Sequence, residues 1–482
     1  MREKFSDLLE RFVSDGLLLQ LFSLPGFVLA LLLVARLMSE KRAPANTFAW
    51  LLGIVLLPWI SVPFYLLFGG RKLRRLVRRK SCVLPVLPGA VAHPAKSASA
   101  PIAQTIVSAG AAPPVPGNTI EFIANGEDAY AALEKQIRAA CHTIHITTFI
   151  LGRDDTGRRL VRLLAERARA GVKVRLLLDS LGSWFSGGGF THRLHRAGGE
   201  VARFMPVLPF SSRGSANLRN HRKIAIFDHC TAIIGGHNLA REYMGPTRFR
   251  KRWQDFGAVI TGPAAALLND VFIADWAFVT GQSAATLRAE IPESVIAPRG
   301  HSELQVVASG PDVPGDPLYE GIVSMVQEAK KSIWVVTPYF IPDDVLFRSL
   351  VVKARSGVAV NLMVPARSDH RITDFARRHY LRELRRAGAR VLLFTSGMLH
   401  SKALIVDDDV GLIGSANFDS RSLFVNFEIG VVVHTAADAR AMTAWAEALA
   451  GHCREAKFDP DQKPRFFGNL IEDLSRLFAP LL

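Results

Sequence analysis

Two long apolar stretches open the chain. Residues 17–38 (LLLQLFSLPGFVLALLLVARLM) and residues 48–68 (FAWLLGIVLLPWISVPFYLLF) are separated by a short polar turn. At about 1.5 Å per helical residue, each stretch is long enough to cross a bilayer core of roughly 30 Å. We therefore predict a membrane anchor of two transmembrane helices. A pair of buried core helices is the alternative, and Pro58 and Pro63 leave open a kinked or re-entrant second segment.

From residue 119 onward, strand and helix patterns alternate and then repeat. Residues 119–150 have the pattern strand, turn, helix, strand, with Asn-Gly at the turn. Residues 303–341 have the same order of elements. Each copy continues into a helix and a Gly-Val strand. Helices that alternate with apolar strands indicate an α/β fold, and an internal duplication indicates two lobes related by a pseudo-twofold axis. The predicted fold class is α/β, with two pseudo-symmetric lobes, each a mixed sheet flanked by helices. The two-helix anchor precedes both lobes in the chain.

This pattern divides the chain into four regions. Residues 1–80 form the anchor with a basic juxtamembrane segment, residues 119–300 the first lobe and residues 301–482 the second lobe. Between anchor and lobes, residues 81–118 are rich in Pro, Ala, Ser and Gly. We expect this segment to act as a flexible linker, because such a composition cannot build a core.

The charge balance indicates an anionic partner. Lys and Arg number 59 against 43 Asp and Glu, which gives a net charge of +16. Nucleic acid and an acidic membrane surface are the two candidates. Residues 71–80 (RKLRRLVRRK) directly follow the second apolar stretch and carry seven of the positive charges. This placement weakens the nucleic-acid interpretation and, by the positive-inside rule, predicts that the lobes lie in the cytoplasm. The four scattered cysteines indicate neither a disulfide framework nor a zinc site.

One short motif occurs twice, once in each predicted lobe. NHRKIAIFD (220–228) and LHSKALIVD (399–407) share His, Lys two residues later and Asp five residues after that: His221, Lys223 and Asp228, then His400, Lys402 and Asp407. On a strand, residues i and i+2 point to the same face, so each His and Lys should project together. The six residues are our candidate catalytic set. The two aspartates lie an odd number of residues after the histidines, so on a strand they would point to the opposite face or lie past its end. Such a position suits fixing the site from behind or capping the strand better than acting beside the histidine.

A small-residue turn carrying an amide follows each copy. The turns are IIGGHN, which ends at Asn238, and LIGSAN, which contains Ser415 and ends at Asn417. Small residues let a substrate approach the backbone, and Asn can donate to phosphate oxygens. We predict that Asn238, Asn417 and Ser415 bind substrate. Two lysines and two asparagines between the lobes could hold one phosphate diester without a metal.

The doubled motif resembles the phospholipase D superfamily, and within it the bacterial cardiolipin synthases. The resemblance covers nearly the whole chain. It includes TPYFIPDD (337–344), SANFDSRSLFVNFE (415–428), DFGAVITGP (255–263), FIADW (272–276) and the C-terminal RLFAPLL.

The resemblance implies a phosphatidyl transfer between two phosphatidylglycerol molecules, giving cardiolipin and glycerol without cofactor or metal. His221 would form a covalent phosphohistidine, and His400 would act as acid and then base; the near-equivalence of the lobes leaves the reverse order open. The lysines and asparagines would stabilise charge on the phosphate oxygens, and Asp255 and Glu428 would orient the histidine rings. It also implies a multi-pass protein of the bacterial inner (cytoplasmic) membrane that meets anionic phospholipids, not nucleic acid.

Three other functions compete with this interpretation. A phospholipase D could hydrolyse the headgroup, or the donor lipid could be another one such as phosphatidylethanolamine. The basic balance would also suit a nuclease or nucleic-acid-binding member of the same superfamily, and the third alternative is a catalytically inactive membrane scaffold. The loop GSWFSGGGF (182–190) could cover acyl chains at the mouth of the site or simply connect two elements.

Overall fold

The computed structural model describes residues 32, 34–35, 44–56, 61–62, 65, 99–205, 218–290, 297–313 and 315–456. The chain separates into two compact units, Met1–Arg71 and Lys72–Leu482. The helices are α1 (Pro44–Leu56), α2 (Ala100–Ser108), α3 (Gly126–Ala139), α4 (Asp155–Arg169), α5 (Gly188–Arg196), α6 (Pro263–Thr280), α7 (Ala284–Arg288), α8 (Pro317–Glu328), α9 (Asp344–Arg355), α10 (Arg371–Ala376), α11 (Arg378–Arg386), α12 (Ser420–Phe424) and α13 (Ala436–Ala450).

The strands are β1 (Val115–Ile123), β2 (Thr143–Thr148), β3 (Lys173–Asp179), β4 (Glu200–Phe204), β5 (Ile224–Phe227), β6 (Thr231–Gly235), β7 (Gly257–Thr261), β8 (Ser302–Ser309), β9 (Ser332–Val336), β10 (Phe340–Ile341), β11 (Ala359–Pro365), β12 (Arg390–Phe394), β13 (Ala403–Val406), β14 (Val410–Gly414), β15 (Phe418–Asp419), β16 (Glu428–Val433) and β17 (Cys453–Glu455).

In the first unit, α1 covers the start of the second apolar stretch. Trp50 packs edge-on against Tyr65 with ring centroids 5.3 Å apart, and Ile54 is buried beside Tyr65. Within the described part of the chain, no helix has the length and apolarity needed to cross a bilayer. Most of residues 17–38, all of the basic segment 71–80 and residues 81–98 lie outside the described residues. The two-helix anchor therefore stays a prediction.

One large mixed sheet dominates the second unit. Within the described residues its fifteen strands run in the order β17-β12-β11-β9-β13-β14-β16-β8-β1-β7-β6-β5-β2-β3-β4. We call β1–β7 with their helices the first lobe and β8–β17 with theirs the second lobe. The two halves of this order mirror each other, with β1 matching β8, β5 matching β13 and β7 matching β16. The prediction of two pseudo-symmetric α/β lobes with a mixed sheet is confirmed.

Helices cover both faces of the sheet. Every residue of β2 and β16 is therefore buried, including the polar residues of β2, because neither face of these strands meets water. The helices α6 and α13 share one apolar core that runs across both lobes. On the opposite face, α3 and α4 pack on the first lobe and α8 and α9 pack on the second.

The lobes join edge to edge where β1 pairs antiparallel with β8. Buried Asn118 fastens this seam, because its amide donates to Val115 O at 2.8 Å and Ser302 O at 3.2 Å. Its side-chain oxygen accepts from Ala264 N at the start of α6. At the neighbouring bulge, Gly117 has a φ of +84°, and a Cβ there would lie 2.9 Å from Pro298 Cβ.

The predicted linker is wrong in its last part. Residues 100–108 form α2, whose Ile102, Ala103 and Ile106 are buried against the second lobe. The adjoining chain is hydrogen-bonded as well, since Gln305 donates to Ala112 O at 2.8 Å. The composition was misleading, because the i, i+4 isoleucines form an apolar face within a Pro/Ala-rich stretch. This segment therefore belongs to the folded unit, and β1 begins at Val115.

Candidate active site

The two motif histidines lie where the lobes meet. Each precedes a strand instead of lying on it, since β5 begins at Ile224 and β13 at Ala403. The backbone of each motif pairs with the other lobe: His221 N donates to Phe427 O at 2.9 Å, and His400 N donates to Gln254 O at 2.7 Å. These symmetric cross-lobe bonds bring both motifs to one site.

Each histidine is held by a carboxylate from the opposite lobe. His221 Nδ1 lies 2.9 Å from Glu428 Oε1, and His400 Nδ1 lies 2.7 Å from Asp255 Oδ2. Both carboxylates are fully buried. A histidine whose Nδ1–H donates to a carboxylate keeps its Nε2 lone pair for chemistry. No described residue hydrogen-bonds Nε2 of either ring, so both nitrogens are open to a substrate.

The surroundings of both rings favour neutral imidazole. Burial lowers the pKa of His221 below its usual value, while Glu428 partly opposes the shift. Burial, Lys402 and Lys223 together hold the pKa of His400 well below its usual range. Because His221 and Lys223 act on His400, and Lys402 acts on His221, the four motif side chains form one electrostatic cluster.

The motif lysines are buried beside the histidines. Lys223 Nζ donates to His221 O at 2.8 Å, and Lys402 Nζ donates to His400 O. Burial lowers the pKa of Lys223 to about 7 and that of Lys402 to about 8. A bound phosphate diester would favour their charged form, since it would place an anion beside both ammonium groups.

The turns after each motif reach the same place, but by different contacts. Asn238 Oδ1 accepts from Ile150 N at 3.1 Å, which fixes the orientation of its amide. Ser415 does not face an open site: its hydroxyl donates to Glu428 Oε2 at 2.5 Å, so it positions the carboxylate that holds His221. Asn417 is buried, and its Oδ1 has no hydrogen-bond partner within the described residues. The assignment of Asn238 and Asn417 to substrate binding stays a prediction.

Asp228 and Asp407 do not reach the histidines. Asp228 accepts from the backbone N–H groups of Cys141, His142 and Thr143 at 2.7 to 2.8 Å. Asp407 accepts in the same way from Lys330, Lys331 and Ser332. These two aspartates therefore do not belong with the catalytic residues, among which we had placed them. Their bonds to backbone N–H groups match the capping role that their position after the histidines suggested. With all carboxylate bonds going to the backbone, they fix the start of β2 and β9 against the motif hairpins.

Sequence reasoning missed Arg222, which sits between His221 and Lys223. This buried guanidinium lies 2.6 Å from Asp275 Oδ1 on α6 and donates to Glu428 O at 3.0 Å and Ser309 O at 3.0 Å. It thereby ties the first motif to the second lobe. The only sequence signal was the family-like FIADW segment, which contains Asp275.

Aromatic side chains form the walls around the rings. Phe149 packs edge-on against His221 at 5.0 Å between ring centroids. Tyr243 and Trp253 lie 5.0 and 5.3 Å from the His400 ring. None of the three was singled out by the sequence pattern, because they come from loops that only the fold brings together. Within the described residues, no group of three or more His, Cys, Asp or Glu is placed to hold a metal ion.

Comparison with known proteins identifies the family of the chain. A family model described as cardiolipin synthase, PLD-like domain, matches residues 133–276 and 322–450, which include both motifs. The chain belongs to the phospholipase D-like cardiolipin synthase family. A second family model, phospholipase D-nuclease N-terminal, matches residues 27–70.

Curated relatives agree with this assignment over the whole chain. The cardiolipin synthase of Geobacillus kaustophilus (strain HTA426) is 33% identical over 479 residues, covering 97% of this chain and 95% of that protein. The major cardiolipin synthase ClsA of Bacillus subtilis (strain 168) is 30% identical, covering 97% of this chain and 99% of that protein. The resemblance inferred from the doubled motif is confirmed, and with it the membership of a family of phospholipid phosphatidyltransferases.

Among solved structures, the fold is similar to that of phosphatidylserine synthase from Haemophilus influenzae Rd KW20. The TM-score is 0.57 at 17% sequence identity, and the match covers 79% of this chain and all of that one. This similarity supports the architecture of the lobes.

Proposed function

We propose that the protein is a cardiolipin synthase that transfers the phosphatidyl group of one phosphatidylglycerol to the terminal hydroxyl of another and releases glycerol. The observation that carries this proposal is the pair of histidines with open Nε2 atoms, each held at Nδ1 by a buried carboxylate of the opposite lobe. Two such groups match a reaction in which one base attacks phosphorus and the other handles the alcohol.

In the first step, His221 Nε2 attacks the phosphorus and forms an N–P bond. The P–O bond to the glycerol headgroup breaks, and the departing alkoxide takes the Nε2 proton of His400. His400 carries that proton once the anionic diester offsets the positive charges of Lys402 and Lys223, which, added to burial, lower its pKa. In the second step, His400 removes the proton from the incoming hydroxyl, the new O–P bond forms, and the N–P electron pair returns to His221. One phosphodiester bond is lost and one is made, so the transfer needs no other energy source.

The electrostatics support His221 as the nucleophile. Its Nδ1 contacts both oxygens of Glu428, and the ring has an exposed fraction of 12% against 5% for His400. A neutral ring beside a carboxylate that stabilises the cation formed on attack is what the first step requires. Lys223 and Lys402, protonated once the diester binds, would stabilise charge on its non-bridging oxygens.

The membrane location is part of the proposal. The two apolar stretches, the match of residues 27–70 to the N-terminal family model and the basic segment 71–80 support an inner-membrane protein with its lobes on the cytoplasmic side. Tethering raises the local concentration of lipid alcohols relative to water, which favours transfer over hydrolysis. Cysteine-accessibility mapping that found the lobes outside the cell would overturn this topology.

The decisive experiment is a lipid assay in phosphatidylglycerol vesicles without divalent metal, with products identified by mass spectrometry. Cardiolipin and glycerol in equal amounts are expected. Phosphatidic acid alone would identify a hydrolase, and activity only after phosphatidylethanolamine is added would identify another donor. His221→Ala and His400→Ala should each abolish cardiolipin formation, and retained activity in both would overturn the assignment of the site.

A further inference from the structure

A groove of about 500 Å³ opens on the first lobe next to His400. It lies between the start of α4 and the segment that follows Asn238. Its wall nearest the site is formed by Tyr243 and Trp253, the two aromatic rings that pack around His400. Ile150, whose N–H orients the Asn238 amide, lines it as well. The groove therefore adjoins the side of the site where His400 would handle the alcohol, with these two rings in contact with both.

The charged side chains of this groove are paired or hydrogen-bonded, except at one residue. It contains three arginines and three acids. Asp155 pairs with Arg158 at 2.6 Å, and Glu242 pairs with Arg241 at 3.2 Å. The remaining acid, Asp154, caps α4 by accepting from Gly157 N and also accepts from Arg241 N.

Arg153 is the arginine left over. Its guanidinium is exposed and makes no hydrogen bond or ion pair with any residue in the described ranges. The groove as a whole has no net charge, but Arg153 is the one arginine of its lining that pairs with no carboxylate among the described residues, and the acids of the groove are already engaged. That arrangement suits an anionic ligand and does not suit the ammonium group of an ethanolamine headgroup.

The loop after β3 has a different character. Trp184 and Phe185, in the loop after β3, have exposed fractions of 55% and 80%. This loop is bonded to the wall at His221, because Ser183 Oγ donates to Phe149 O at 2.9 Å. The same loop is hydrogen-bonded to Leu151, between the groove residues Ile150 and Gly152. An exposed apolar surface and a polar groove therefore lie close together, and a lipid substrate could place its diacyl part on the first and its alcohol part in the second.

We propose that this groove binds the phosphate of the acceptor lipid, with Arg153 as its principal contact. The inference rests on the proposed function and deepens it. An acceptor phosphatidylglycerol carries its own phosphate at the far end of the glycerol whose free hydroxyl reacts. When that hydroxyl lies at His400, its phosphate must lie one glycerol away, on the polar side. Water and simple alcohols carry no phosphate, so the groove selects a lipid acceptor.

The test is a competition between two acceptors in one reaction. Vesicles of phosphatidylglycerol are incubated with the full-length enzyme and a fixed concentration of butanol, and cardiolipin and phosphatidylbutanol are measured together. Both products arise from the same phosphohistidine, so their ratio does not depend on the fraction of enzyme that is folded. In Arg153→Gln the ratio of cardiolipin to phosphatidylbutanol should fall roughly ten- to a hundredfold, as expected when one charged hydrogen bond is lost.

Two further variants complete the design. Arg162→Gln removes the same charge from an exposed position on α4 that does not line the groove, and it should leave the ratio unchanged. Arg153→Lys should restore part of the ratio, because it keeps the charge but not the two-pronged geometry. An unchanged ratio in Arg153→Gln would overturn the groove assignment while the proposed function stands. A wild-type enzyme that formed neither product would overturn the proposed function itself.

Discussion

At the residue scale, His221 and His400 share a motif but not an environment. The carboxylate that holds His221 is fixed by the Ser415 hydroxyl, whereas the matching position in the first lobe is Gly236. A Cβ at Gly236 would lie 2.1 Å from Asp255 Oδ1, so no serine fits there. In the proposed reaction, this difference would let two copies of one motif take two roles.

The lysines predict the pH dependence of the reaction. The ratio kcat/KM reports the free enzyme, in which the pKa values of Lys223 and Lys402 are about 7 and about 8. Because a lysine loses its charge as the pH rises through its pKa, kcat/KM should fall above about pH 7. Lys223→Arg keeps a charge at every accessible pH, so the alkaline limb should move up to the value set by Lys402.

The measurement is the pH profile of kcat/KM for both enzymes, with Lys135→Arg, an exposed change on α3, as the control. The absolute rate of Lys223→Arg should be lower, since the longer side chain displaces the diester. An alkaline limb at the same pH in wild type and Lys223→Arg would show that Lys223 does not set it.

At the element scale, the motif aspartates hold the hairpins on which the histidines depend. Asp407 has a φ of +55° and accepts three backbone N–H bonds from the start of β9. Asp407→Ala should lower the free energy of unfolding by about 1 to 2 kcal/mol, because three backbone N–H groups lose their charged acceptor and alanine disfavours positive φ. Asp409→Ala, in the same turn with an exposed side chain, should have little effect.

Chemical denaturation of the three proteins measures this difference. The enzyme that remains folded in Asp407→Ala should keep the wild-type pH profile, because the carboxylate touches neither histidine. A changed profile with unchanged stability would instead assign Asp407 a part in the chemistry.

The loop after β3 belongs to the same scale. Trp184 and Phe185 are exposed on a turn anchored to Phe149, beside His221. If this loop meets acyl chains, the double change of Trp184 and Phe185 to Ser should reduce activity on vesicles roughly tenfold or more, since two aromatic contacts with lipid are lost. Activity on a short-chain, water-soluble phosphatidylglycerol should change little.

A matched control is Val352→Ser, which removes a side chain of similar exposure from α9. Equal losses on vesicles and on the soluble lipid would mean that the loop supports the active site itself and not the acyl chains.

At the scale of the whole molecule, the pseudo-twofold axis makes each half of the chemistry depend on the other lobe. Glu428 of the second lobe serves His221, and Asp255 of the first lobe serves His400. A phosphatidyl ester with a p-nitrophenol leaving group separates these roles, because that leaving group needs no acid. Glu428→Gln should slow the first burst of p-nitrophenol by about a hundredfold or more, whereas Asp255→Asn should leave the burst and slow only the transfer that follows.

Stopped-flow absorbance measures the burst, and Glu121→Gln, at an exposed position of β1, is a control for the loss of a carboxylate. The opposite pattern, with the burst lost in Asp255→Asn, would assign the nucleophile to His400 and reverse the order of the two histidines.

The sequence by itself determined the family, the α/β class, the duplication and the residues at the centre of the site. These follow from local patterns. The spacing of apolar positions indicates strands and helices, and a motif repeated at matching positions of a duplication can be recognised in the sequence alone. Composition predicted structure less well, since the Pro/Ala-rich segment that we expected to be a linker contains α2 with its apolar face.

Only the tertiary structure decided which carboxylate serves which histidine, because the partners are 207 and 145 residues apart in the chain. It likewise decided that the motif aspartates bond to backbone, that Arg222 ties the lobes together and that a charged groove lies beside His400. The physical reason is the same in each case. A side chain's role is set by the neighbours that satisfy its charge and hydrogen bonds, and here the seam between two lobes supplies those neighbours.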